Sequence, residues 1–118
     1  MSVAEMQVTL PLPPATLSPN ARVVWQVKAR VTKQYRALAH GACYQQGYRW
    51  SAATAQATFY HRDKRRRDRD NLLASLKSAF DGIAAAGVVV DDANITHLPV
   101  RCEVDRENPR VEIRIVRA

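Results

Sequence analysis

The sequence predicts a small α+β (α/β) domain, a mixed β-sheet with two main helices packed on it, in the order β-α-β-α-β-β. Three observations predict it. Short stretches alternate apolar and polar residues at period two, longer ones repeat apolar residues at helical spacing, and turn residues fall between them. The length of 118 residues is that of one domain, 1–118, able to bury a single core without disulfide or metal staples.

Residues 6–12 alternate and read as a strand closed by Pro13 and Pro14, before a turn-rich loop over 15–20. From Val23 to Gln46 the pattern turns helical, with Val24, Val27, Val31, Tyr35, Leu38 and Cys43 near one face and Gly47 as the stop. Alternation returns over 53–61, a second strand that runs directly into a dense charged segment. A second helix starts at Asp70 or Asn71, both favoured N-cap types. Its apolar stripe is Leu72, Leu73, Leu76, Ala79, Phe80 and Ile83, and Gly87 fits the C′ position. The apolar run 88–90 leads to Asp91 and Asp92. Two last strands, over 95–104 and 110–116, flank a polar turn at 105–109.

Composition narrows the partner. A formal net charge of +7 favours a polyanion, either nucleic acid or an anionic membrane surface. No apolar run approaches the roughly 18–20 residues that span a bilayer. Residues 1–6 lack the basic and apolar regions of a secretory signal, so the expectation is a cytoplasmic protein without a membrane partner. Cys43 and Cys102 match no ligand spacing and read as reduced, structural thiols.

The charged segment carries the functional signal. Lys64, Arg65, Arg66, Arg67 and Arg69 are suited to phosphate contacts, yet Asp68 and Asp70 sit among them. Carboxylates repel phosphate unless a cation stands between, so the mixture points to phosphodiester held by arginines and presented to acid-bound metal. In an extended chain Asp68 and Asp70 point to one side and Arg69 away. In helical projection Asp70, Ala74, Lys77 and Asp81 share a stripe, within about 60° of one another. Oxygen ligands from Asp68, Asp70 and the Asp91–Asp92 pair suit Mg²⁺, with Mn²⁺ as a substitute, and Lys77 could meet developing negative charge. Blander readings stand beside this one: aspartates that only pair with arginines, Lys77 bridging Asp81, an ordinary turn at Asp91–Asp92, and Asp63 as a charge offset. On these residues alone, a metal-dependent nuclease and a non-catalytic nucleic-acid-binding module remain open.

The stretch from Arg66 to Leu72, then Lys77, then Phe80-Asp81-Gly82 through Ala86-Gly87-Val88 to Asp91-Asp92, resembles the RusA family of Holliday junction resolvases. Residues 62–95 carry the strong likeness, and residues 10–14 with Ser18-Pro19-Asn20 a weaker one. The resemblance implies a RusA-like fold and a homodimer that binds four-way branched DNA. It also implies paired symmetric nicks with Mg²⁺, in recombination and repair and often in a prophage. By position Asp68, Asp70 and Asp92 match the catalytic acids, and Lys77 is the candidate for the functional lysine. In the family pattern that lysine stands about one helical turn nearer the aspartates, where this chain has Ala74. An inactive resolvase-like junction binder and a metal-dependent ribonuclease are the remaining alternatives.

Overall fold

The computed structural model describes residues 5–43 and 49–118. Strands β1 (Glu5–Leu10), β2 (Ala53–His61), β3 (Ile95–His97), β4 (Arg101–Val104) and β5 (Arg110–Arg117) form one mixed sheet. Helices α1 (Trp25–Cys43), α2 (Arg69–Ala74) and α3 (Lys77–Ala85) complete the fold, with short 3-10 turns at Ala15–Leu17 and Asp92–Asn94. β5 lies antiparallel between β1 and β2, while β3 and β4 both run parallel to β2 along its other edge. Parallel neighbours need a crossover, and α2–α3 supplies it between β2 and β3. The α+β class and the mixed sheet agree with the pattern read from the sequence.

Alternation puts one sheet face in the core. Met6, Val8 and Leu10 of β1, Ala53, Ala55, Ala57 and Phe59 of β2, and Val111, Ile113 and Ile115 of β5 are buried there. α1 and α3 pack against each other, and Tyr35, Ala39, Leu76, Ala79 and Ile83 join the same core. Their close approach depends on Gly82: a Cβ there would fall on the Arg36 carbonyl, with the His40 amide 3.1 Å away.

Several expected elements shift for identifiable reasons. β1 stops at Leu10 because Pro11 offers no N–H, and the Tyr35 hydroxyl donates to the Pro11 carbonyl at 2.7 Å. On α1 the buried residues are Tyr35, Ala39 and Cys43, whereas Val24 and Leu38 of the expected stripe are 63% and 51% exposed. The 19-residue helix is about 28 Å long, but α3 has only nine residues to set against it. The proposed stop at Gly47 lies outside the described residues.

The expected single strand over 95–104 is split into β3 and β4. Pro99 cannot donate to the ladder, and the Gln56 side chain reaches its carbonyl at 3.1 Å. The second helix is likewise two helices. The Ser75 hydroxyl donates to the Leu72 carbonyl at 2.6 Å, and the Leu76 amide turns to the Leu73 carbonyl instead. Such side-chain competition for a helix carbonyl breaks the register there. The continuous stripe Asp70–Ala74–Lys77–Asp81 is therefore interrupted, and Lys77 becomes the first residue of α3. Gly87 does follow α3 with φ +91°, a left-handed value that glycine adopts freely.

Candidate nuclease site

β2 delivers the chain to His61, whose imidazole stacks on Phe59 with centroids 5.8 Å apart. Burial lowers the His61 pKa, the nearby Arg67 guanidinium lowers it further, and Asp63 opposes them. The loop that follows braces itself. One Asp63 oxygen accepts from the Arg65 amide at 3.0 Å and from Arg67 Nη2 at 2.9 Å, while Arg67 Nη1 donates to the Arg65 carbonyl. The Arg65 amide and then the Arg67 guanidinium hold the Asp63 carboxyl below the usual carboxylate range. Asp63 and Arg67 thus shape the loop. Arg69 is also engaged, donating to the Val100 carbonyl at 3.3 Å. The side chains of Lys64, Arg65 and Arg66 make no hydrogen bond or ion pair with the described residues. They line a broad cleft of about 1020 Å³ with His61, Asp68, Cys102 and Glu103.

The carboxylates lie at this cleft and just beyond it. Asp68 is the N-cap of α2, its Oδ1 accepting from the Asn71 amide at 3.1 Å. The expected cap, Asp70 or Asn71, is thus displaced by two or three residues, because the extended backbone at Asp68 lets its side chain turn back onto the helix. Asp70 falls in the first turn of α2, exposed and without a partner among the described residues. Asp91 accepts from the Ala93 amide at 2.9 Å and so closes its own turn. Asp92 instead borders a small cleft of about 170 Å³ with Leu73, Lys77, Phe80 and His97. Leu73 stands one helical turn after Asp70, so α2 has Asp70 in its first turn and the Asp92–Lys77 cleft at its far end. Lys77 also approaches Asp81 at 3.5 Å, in a well-exposed pair.

His97 is a member of this cleft that the sequence analysis does not single out. Its ring meets Phe80 edge-on at 4.5 Å, burial lowers its pKa, and Asp92 pulls the other way. Its place five residues after Asp92, within the strand expected over 95–104, was the available signal. Both cysteines are free thiols; burial pushes the Cys43 pKa up to about 11.

A divalent cation can be tested against these donors. Asp70 and Asp92 have carboxylates without hydrogen-bond partners among the described residues, and Asp68 and Asp91 each keep an oxygen uncommitted by the bonds above. All are hard oxygen donors, the chemistry Mg²⁺ prefers. Yet no three His, Cys, Asp or Glu side chains are grouped to hold a metal among the described residues. The donors fit Mg²⁺ of the kind bound by one or two carboxylates and completed by water and substrate phosphate.

A one-faced mixed sheet, an arginine loop and carboxylates at both ends of the following helix define a small α+β domain built to handle phosphodiesters. Residues 20–116, most of the chain, match the family described as endodeoxyribonuclease RusA, and the chain belongs to that family. It is also 35% identical over 111 residues to an uncharacterized protein of Xylella fastidiosa (strain Temecula1 / ATCC 700964), a match covering 86% of this chain and 71% of the relative. The family is one of endodeoxyribonucleases of the Holliday junction resolvase type. No helix among the described residues is long and apolar enough to cross a membrane.

Proposed function

We propose that this protein is a Mg²⁺-dependent endodeoxyribonuclease that resolves four-way DNA junctions by paired, symmetric nicks in recombination and repair. The observation that carries the reading is the short helix α2, which joins the cleft lined by Lys64, Arg65 and Arg66 to the cleft lined by Asp92 and Lys77. Lys64, Arg65 and Arg66 attract the backbone phosphates; Arg67 and Arg69 hold the loop and add to its field. Asp70 and Asp92, with Asp68 at the helix cap, are the ligands for Mg²⁺ or Mn²⁺. Asp92 is preferred to Asp91, whose carboxylate closes a turn. When bound, the cation supplies an activated water and neutralises charge on the phosphate. Lys77 adds positive charge beside Asp92, where negative charge accumulates during cleavage. Two cuts related by two-fold symmetry call for two equivalent sites, so the working unit is a cytoplasmic homodimer.

The test is a synthetic four-way junction with Mg²⁺. The native chain introduces paired nicks far faster than in linear duplex, and Asp70→Asn binds without cutting. A mutant that cuts normally contradicts the site. That no three His, Cys, Asp or Glu side chains are grouped to hold a metal among the described residues favours a second reading, a non-catalytic junction binder. Binding by the native chain with no cutting in Mg²⁺ or Mn²⁺ would select that reading.

A further inference from the structure

A third cleft, of about 380 Å³, lies against His61, Arg67 and Asp68, the residues it shares with the arginine cleft. Its remaining lining differs in character. Leu12 and Pro13 from the loop after β1, Leu72 of α2 and Phe59 of β2 make it largely apolar. Asn71 contributes a side-chain amide with no hydrogen-bond partner among the described residues. The loop is fixed in advance at both ends. The Tyr35 hydroxyl holds the Pro11 carbonyl, and buried Leu17 returns its amide to the Pro14 carbonyl at 2.9 Å.

We propose that this cleft receives one nucleobase of the bound DNA, unstacked from its neighbours and adjacent to a phosphate held by Arg65 and Arg66. The proposal rests on the nuclease reading and names the feature of the substrate that its site takes. Size, chemistry and continuity support it together. The volume lies within the range of about 300–1,000 Å³ typical of small-molecule sites. Apolar walls with one amide suit a flat heteroaromatic ring, which gains from burial and presents paired donors and acceptors at its edge. The shared residues put a base site beside a phosphate site, as the two parts of a nucleotide require. Asp68 does not repel the phosphate fully, because Arg67 lines the same boundary and the Asn71 backbone N–H donates to one carboxylate oxygen. Branched DNA supplies such a base cheaply, since stacking is already interrupted at the exchange point. Asn71 then makes cutting depend on which base occupies the cleft.

The experiment uses the full chain carrying Asp70→Asn, bound to four-way junctions with 2-aminopurine at successive positions around the branch. One position should brighten severalfold on binding. Ala15→Trp, which fills the cleft from an exposed position, should abolish that rise while fluorescence anisotropy still reports bound junction. In the otherwise native chain, Asn71→Ala should flatten the base preference of cutting by roughly tenfold. The positional signal stands without Ala15→Trp should that variant not fold. Junction binding with no brightened position, or a signal that survives a folded Ala15→Trp, overturns the base site. Paired cutting by the native chain would still uphold the nuclease. Failure to bind DNA overturns both.

Discussion

The arginine cleft and the Asp92–Lys77 cleft stand at opposite ends of α2, a helix about 9 Å long, and they are built on opposite principles. The first is broad and exposed, and the side chains of Lys64, Arg65 and Arg66 in it have no protein partner among the described residues. The second is about one sixth its volume, walled by Leu73 and Phe80, with one ammonium and one carboxylate. Capture of a polyanion needs many replaceable charges, each of modest effect and each screened by salt. Bond cleavage needs a few groups in fixed places, where partial exclusion of water strengthens them. Mutations should therefore separate into those that change affinity and those that change rate.

Lys77→Ala should separate them clearly, lowering cutting by about 10²-fold while junction affinity, read by gel shift, stays nearly constant. A loss of affinity equal to the loss of rate would merge the two clefts into one function. Gly82→Ala attacks what holds them in register, because its methyl would collide with the Arg36 backbone. It should cost about 1–3 kcal/mol in urea unfolding, with both functions falling together. Asp68 can be divided by chemistry. Asp68→Ala should lose about 0.5–2 kcal/mol through the missing cap, while Asp68→Asn keeps the cap and most of the stability. Cutting that fails in the stable Asp68→Asn chain marks the carboxylate as a participant in the reaction. Arg66→Ala should reduce the slope of log affinity against log salt by about one unit.

The smallest effect is in pH. Burial lowers the folded pKa of both His61 and His97 below the ordinary value of 6.5. Below about pH 6.5 the unfolded chain therefore binds more protons than the folded one at these two groups, and stability falls as pH drops toward their folded values. Thermal melts between pH 7 and 5 should show this decline, and His61→Gln should flatten it.

Much of the framework was legible because it follows from period and from residues with one strong preference. β2 was readable to the residue, since nine alternating positions put every second side chain in the core. Gly87 was readable because a left-handed residue after a helix favours glycine. What escaped depended on single hydrogen bonds or on lengths elsewhere in the fold. Ser75 splits α2 from α3 through one hydroxyl, which leaves the apolar stripe intact and hence no trace in the pattern. The inner face of α1 drifts from Leu38 to Ala39 because Gly82 brings α3 onto that side. Asp68, Asp70, Asp92 and Lys77 were visible as chemistry, but the placing of Asp68 at one cleft and of Asp92 and Lys77 at another was not. Gly82, carried within the family-like Phe80-Asp81-Gly82 stretch, serves helix packing.

The most direct test compares Asp92→Asn with the native chain, measuring both the cutting rate and the affinity for the same four-way junction in Mg²⁺. The two-cleft account predicts a fall in rate of about 10²–10⁴-fold with affinity nearly unchanged. Cutting at the native rate by a folded Asp92→Asn chain would contradict it.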